Sequence, residues 1–307
     1  MSPFRWKVAD DGEPALFGVD ELFDHDRSAG RMSDLEFLHV TTKRILNRVP
    51  STSRAPANWT INVYRGCSHA CSYCFARPTH EYLGLNIGTD FDTKIVVKIN
   101  AVERLRVELA DPRWQREPVA MGTNTDPYQR AEAKYKLTRG VLEALTEHAN
   151  PFSILTKSPL ITRDLDILVV ANERADVSVN FSIATLDERV WRASEPGAPN
   201  PRRRIDAMAK LSAAGIRTGA LMMPILPGLS DSPEQLRETV AAIDGAGGRV
   251  LGIGALHLRP GVREHFLGWL RAADPALHRD YLRRYATSDY APARYADELY
   301  ERAGIAR

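Results

Sequence analysis

The chain of 307 residues has three cysteines, and all of them fall in the run Arg65-Gly-Cys-Ser-His-Ala-Cys-Ser-Tyr-Cys-Phe75, at Cys67, Cys71 and Cys74. Their spacing is C-x3-C-x2-C. An odd number of cysteines crowded into one short segment is ill suited to a disulfide framework and points to ligation. Three thiolates can occupy three corners of a [4Fe–4S] cube and leave the fourth iron without a protein ligand, open to chelation by a small molecule. A short loop can curl round such a cube with successive sulfurs turned inward, and Gly66 lets the backbone come close. The competing chemistry is a zinc ion, which prefers four ligands and would take a histidine such as His69 or His80 as the fourth. A histidine in a turn is more often a hydrogen-bonding residue, so neither is assigned to iron.

The elements around this segment have a consistent rhythm. Residues 1 to 35 are acidic and weakly periodic and read as a loosely ordered arm. The pattern tightens from Leu35 to Pro50, and Trp59-Thr-Ile-Asn-Val-Tyr64 alternates as a strand and runs straight into the cysteines. Beyond them, apolar runs (IVVKI, PVAMGTN, FSILTK, VSVNFSIAT, TGALMMPIL, VLGIGALHL) alternate with helix-like segments at Lys134–His148, Arg163–Arg174, Arg202–Ala214 and Pro233–Ala246. Gly215 and Gly247 stand where two of these helices should stop. Such alternation signals parallel β/α units, and roughly six or seven strands suit an open, curved barrel better than a closed eight-unit one. Functional groups then belong at the carboxyl ends of the strands. The organisation expected is an arm over 1–35, a core domain over 36–260 and a helical extension over 261–307.

Forty-one basic residues oppose thirty-nine acidic ones, for a formal charge of +2, so the overall field does not argue for a polyanionic partner. The N-terminal residues carry no long apolar core and no later stretch approaches a membrane span, which implies a soluble cytoplasmic protein.

The triad, with Tyr73 before its third cysteine, resembles the signature of the radical S-adenosylmethionine superfamily. The likeness extends to Asn62–Arg77, Thr123-Asn-Thr-Asp-Pro-Tyr-Gln129 and Ile154-Leu-Thr-Lys157, which look like the spore-photoproduct-lyase-like branch labelled "DNA repair photolyase", and it covers about residues 45 to 260. The resemblance implies an α/β fold, a partial (β/α)6 TIM-like barrel. It implies an enzyme that binds one [4Fe–4S] cluster through Cys67, Cys71 and Cys74 and cleaves S-adenosylmethionine reductively to a 5′-deoxyadenosyl radical. A low-potential electron donor such as flavodoxin or ferredoxin is the expected partner; the substrate is not identified by the sequence, and the family label suggests nucleic-acid lesion or modification chemistry.

Site roles follow from the same resemblance. Tyr73 would pack near the adenine. Gly122, Thr123, Asn124 and Asp126, after the PVAM strand, would meet the amino group, although the family's usual Gly-Gly-Glu wording is absent and a structural turn at Asp126-Pro127 is an alternative. Lys157 would pair with the methionyl carboxylate and Ser182 would face the ribose. Spore photoproduct lyase returns hydrogen through a cysteine outside its cluster motif, and this sequence has none, so Tyr128 is the substitute donor considered. Arg202-Arg203-Arg204 reads as a solvated face at a helix start. A zinc-stabilised, non-catalytic nucleic-acid-binding protein is the alternative from another class.

Overall fold

The computed structural model describes residues 24–27, 34–50 and 57–306. Apart from a short strand and Asp34–Leu35, the expected arm lies outside the described residues. The chain divides into two compact units that interleave along the sequence: Met1–Ser68, Thr79–Thr156 and Arg163–Ser178 form the first, and His69–Pro78, Lys157–Thr162 and Val179–Arg307 the second.

In the first unit, β1 (Asp24–Arg27) runs antiparallel to β2 (Glu36–Val40), while β3 (Asn47–Arg48) runs antiparallel to β4 (Trp59–Ile61). After β5 (Tyr64–Arg65) come α1 (Thr89–Thr93), β6 (Lys94–Lys98) and α2 (Ala101–Leu109). Then follow β7 (Val119–Met121), α3 (Arg130–Tyr135), α4 (Leu137–Glu147), β8 (Phe152–Thr156) and α5 (Leu165–Arg174). β4, β7 and β8 are parallel neighbours, with Ile61 opposite Met121 and Met121 opposite Ile154. All three residues of β7 are buried, as an inner parallel strand requires.

Two expectations are corrected here. The IVVKI run is not one of the barrel's parallel series. It forms β6 in a separate sheet of order β1-β2-β6-β5, parallel to β2 and antiparallel to β5. Its continuous apolar run reflects burial within that sheet, which periodicity alone does not distinguish from burial in the other. The helix expected over Lys134–His148 is two helices, parted at Lys136, whose φ is +51°. The buried carboxylate of Glu132 explains the break: it accepts from the backbone N–H groups of Thr138 (2.9 Å) and Arg139 (3.3 Å) and so caps the start of α4.

β9 (Val177–Ser182) carries the chain from the first unit into the second. There follow α6 (Glu188–Ser194), α7 (Pro201–Ala213), β10 (Arg217–Ile225), α8 (Pro233–Gly245) and β11 (Arg249–Ala255), with β10 and β11 parallel. The helix starts are written in the sequence. Asp187 and Asn200 accept from the first turns of α6 and α7, and Ser232 forms a capping box with Gln235 ahead of α8. Gly215 and Gly247 end α7 and α8 at φ +80° and +74°. From Val262, α9 (Val262–Ala273), α10 (Pro275–Arg284) and α11 (Ala293–Ala303) follow. The first two bury Phe266, Leu270 and Tyr281 in one apolar core with Leu226, Leu256, Cys71 and Tyr73. No helix among the described residues is long and apolar enough to cross a membrane.

Candidate active site

The cysteine segment begins in the first unit and ends in the second. On the first side, Cys67 is buried and its N–H donates to Phe91 O at 2.9 Å. Gln129 holds this end: its side-chain oxygen accepts from Ser68 N (3.0 Å), and its amide donates to Gly66 O (2.9 Å) and Thr125 Oγ1 (2.8 Å). Gly66 has φ +80°, and a Cβ there would lie 2.8 Å from His80 Cε1 and 2.9 Å from Phe91 O. The glycine therefore admits close packing of the chain on itself. His80 is fully buried with Nε2 3.0 Å from Lys94 O, and His69 is buried.

On the second side, Cys71 is buried, Cys74 partly so, and Arg77, fully buried, donates twice to Cys71 O at 3.1 and 2.9 Å. None of the three cysteines is in a disulfide. A buried ionic group surrounds Tyr73. Its hydroxyl donates to Glu195 Oε1, and Arg204 donates to Glu195 Oε2. Lys157 Nζ lies 4.0 Å from Glu195 Oε1, donates to Ser182 Oγ at 2.7 Å and stands 5.8 Å from the centre of the Tyr73 ring. Arg204, 1 % exposed, also donates to Ser182 O (2.8 Å) and Pro199 O (2.7 Å). Lys157, Ser182 and Tyr73, picked from sequence, are thus brought together, with Glu195 and Arg204 as two members that sequence reasoning did not pick. A small pocket is lined by Tyr73, Glu195, Thr185, Trp191, Pro224 and Ser230, among others.

The electrostatics of this group are those of charges taken out of water. Burial pushes the Cys71 thiol up to about 12, with Lys157 and Arg204 pulling it down and Glu195 and Cys74 adding to the rise. Burial also works against an ionised Glu195, yet Arg204, Lys157 and the hydrogen bond from Tyr73 outweigh it and bring the carboxyl down to about 2. Burial and the facing Glu195 raise the Tyr73 phenol well above its ordinary value. Glu195 is therefore an anion and Tyr73 a neutral donor at neutral pH.

The strand end after β7 is a built turn in the first unit. Gly122 has φ +89°, and a Cβ there would sit 1.9 Å from Leu155 O. Asn62 pins the turn, donating to Thr123 Oγ1 (3.1 Å) and accepting from Asn124 N (3.1 Å). Asp126 accepts from Thr156 Oγ1 (2.7 Å) and Tyr128 N (2.9 Å), which is the structural turn weighed as the alternative for that residue. Tyr128 is 1 % exposed and donates to Asp164 (3.0 Å), itself bound by Arg163 and Arg139. Arg163 also bridges to Glu132, which accepts from Tyr64 at 2.6 Å. Tyr128 is thus built into a buried ionic network, and its phenol is raised by burial and by Asp164. Arg204 corrects the sequence reading of a solvated basic face: Arg202 and Arg203 are exposed, but Arg204 points inward.

The model of the radical SAM superfamily matches residues 61–240, a span that contains all three cysteines. The chain belongs to that superfamily. An uncharacterised protein of Mycobacterium tuberculosis H37Rv is 45 % identical over 303 residues, covering 97 % of this chain and 89 % of the relative. The radical SAM Nalpha-GlyT isomerase of Pseudomonas phage M6 is 27 % identical over 181 residues, or 58 % of this chain and 35 % of that protein. Among solved structures, a spore photoproduct lyase mutant with bound AdoMet and dinucleoside spore photoproduct matches with TM-score 0.62 at 13 % identity, covering 96 % of this chain and 83 % of that one. The fold is thus the partial β/α barrel of radical SAM enzymes, and the chain is an enzyme of that superfamily.

The superfamily implies an iron–sulfur cluster and S-adenosylmethionine, and the three thiols of the cysteine loop are the type of donor such a cluster takes. Among the described residues no three His, Cys, Asp or Glu side chains are grouped to hold one metal ion. A cube makes a different demand, one thiolate at each of three corners, and the soft donors of one short loop are suited to it. Burial disfavours the Cys71 thiolate, and the positive charge of a bound cluster's iron would favour it.

Proposed function

We propose that the chain binds one [4Fe–4S] cluster through Cys67, Cys71 and Cys74 and uses it to cleave S-adenosylmethionine reductively, with nucleic-acid lesion or modification chemistry as the reaction served. The observation that carries the reading is the coincidence of the only C-x3-C-x2-C run in the sequence with the superfamily match over residues 61–240. When bound, the cluster supplies the electron that breaks the sulfonium C–S bond and yields a 5′-deoxyadenosyl radical. A low-potential flavodoxin or ferredoxin is the donor we assign to it.

The protein's own residues bind and orient. Lys157, held at 2.7 Å by Ser182 and faced by Glu195, offers its ammonium to the methionyl carboxylate in a desolvated setting where a charge-assisted bond is strong. Ser182 faces the ribose, and its hydroxyl donates to Met223 O at 3.1 Å, which fixes its rotamer. Tyr73 presents its ring to the adenine, with its phenol anchored on Glu195. Gly122, Thr123 and Asn124 offer the turn after β7 to the amino group. The nucleic-acid assignment rests on the fold shared with spore photoproduct lyase, whose solved form holds a dinucleoside photoproduct. The sequence has no cysteine outside the triad to return hydrogen, and Tyr128 is the donor we assign in its place.

Anaerobic purification or reconstitution tests the reading directly. The expected protein is brown, holds about four irons per chain, and forms 5′-deoxyadenosine from S-adenosylmethionine and dithionite. Cys67→Ala, Cys71→Ala and Cys74→Ala each abolish that product. Undiminished product from any one of them rejects the ligand assignment, and colourless protein with one zinc rejects the cluster. A lesion-bearing oligonucleotide that leaves the course of the reaction unchanged counts against the substrate class alone.

A further inference from the structure

The segment Ser194–Gly197 runs from the last residue of α6 into the connection to α7, and it touches the cysteine loop three times within the second unit. Ser72 N donates to Ser194 O at 2.9 Å, and Gly197 N donates to His69 O at 3.0 Å. The Tyr73 hydroxyl donates to Glu195, the residue between those two contacts. His69 lies two residues before Cys71, and Ser72 and Tyr73 lie between Cys71 and Cys74, so each bond holds the loop within two residues of a ligand.

We infer that Ser194–Gly197 is a clasp that positions Cys71 and Cys74 for the cluster and slows its loss, with Glu195 as its positioning residue. The inference rests on the cluster reading above. Its physical basis is the difference between an anchored and a loose loop. A loop ordered before metal binding does not lose its conformational freedom when the thiolates engage, and a ligand that detaches is held where it can rebind. The clasp is itself rigid. Glu195 is 5 % exposed and locked by Arg204, which is 1 % exposed and bound to Pro199 O and Ser182 O as well. Trp191 Nε1 donates to Ala198 O at 3.1 Å, and Ala198 N donates to Glu195 O at 3.0 Å, closing the segment on α6. The Tyr73–Glu195 bond is the contact that a side-chain change can remove while both backbone contacts stay.

The test measures iron release from anaerobically reconstituted protein to an excess of a ferrous chelator, followed by absorbance. Tyr73→Phe deletes only the hydroxyl, and it is expected to release iron about tenfold faster than the unsubstituted protein, the size a buried hydrogen bond to a charged group predicts. The control is Tyr295→Phe, which removes a part-buried tyrosine–carboxylate bond from α11 to Asp231 (2.7 Å) in the same unit. It is expected to lower the melting temperature comparably while releasing iron at the unsubstituted rate. Equal release from Tyr73→Phe and the unsubstituted protein overturns the clasp, and so does equally fast release from Tyr295→Phe. Where Tyr73→Phe fails to accumulate, Glu195→Met combined with Arg204→Met carries the same measurement, because it removes the acceptor without stranding a buried guanidinium. Unsubstituted protein that takes up no iron rejects the cluster reading itself, a result distinct from either of these.

Discussion

Replacing Gly122 by alanine puts a single methyl group where the structure leaves no room, and two penalties can be separated. The first is conformational: φ at Gly122 is +89°, which an L side chain rarely adopts, at a cost of about 1–2 kcal/mol. The second is steric. The added Cβ would stand 1.9 Å from Leu155 O and 2.9 Å from Leu155 C. Both are backbone atoms of β8, so no side-chain rotation relieves the overlap, and β7 and β8 must part by about 1 Å against their parallel ladder. Together the two come to about 4 kcal/mol, in the range of severe core lesions. Gly215 provides the matched control, with φ +80° and nothing within 4 Å of its would-be Cβ, so Gly215→Ala pays only the first penalty. Urea denaturation of both variants should show Gly122→Ala about 2–3 kcal/mol less stable than Gly215→Ala, and a melting temperature lower by several degrees. Equal destabilisation of the two would show that the turn after β7 yields freely and would refute the steric penalty.

Two further outcomes bear on the second unit. Lys157→Met, close to isosteric with the charge removed, is expected to weaken S-adenosylmethionine binding to the iron-loaded protein by about tenfold or more in equilibrium dialysis; unchanged affinity would take Lys157 out of the site. His265 is pushed down to about 4 by burial and then by Arg77, so it is neutral when folded and takes up a proton more readily when unfolded. Its contribution is therefore present above pH 6.5 and is lost as pH falls from 6.5 towards 4, and the denaturation midpoint of His265→Gln should decline less over that window than that of the unsubstituted protein. Parallel curves would contradict the assignment.

What could be read in the sequence was local. C-x3-C-x2-C needs no fold to be recognised, because its meaning lies in residues separated by one loop. The helices over Arg202–Ala214 and Pro233–Ala246 were equally visible, since amphipathic spacing repeats every three or four residues. The IVVKI run failed as a barrel strand because a buried strand looks the same in either sheet, and the sheet it joins is decided by pairing with β2, far back in the chain. Arg204 failed for a different reason, and here a signal was available. Pro201, Arg204, Ala207, Met208 and Leu211 are the buried residues of α7, spaced at three and four, so the helical phase alone places Arg204 on the inner stripe while Arg202 and Arg203 face outward.

Glu195 carried no such signal. It precedes a turn rich in Pro and Gly, and its partner Tyr73 is 122 residues away. An arginine found on an apolar helix stripe does, however, constrain what remains: a fully buried guanidinium requires a carboxylate or several carbonyls within reach, and the acid must come from a connection that folds back over the start of the helix. Asp187, Glu188 and Glu195 are the acids in the stretch leading to α7, and the first two are spent at the start of α6, as its cap and as the partner of Arg192. Phase analysis of α7 followed by elimination therefore leads to Glu195, and from Glu195 to whatever buried donor occupies its other oxygen. The ligand loop was legible as chemistry from its spacing, and the residue that steadies it becomes legible only once a buried cation has been noticed and its counter-charge sought.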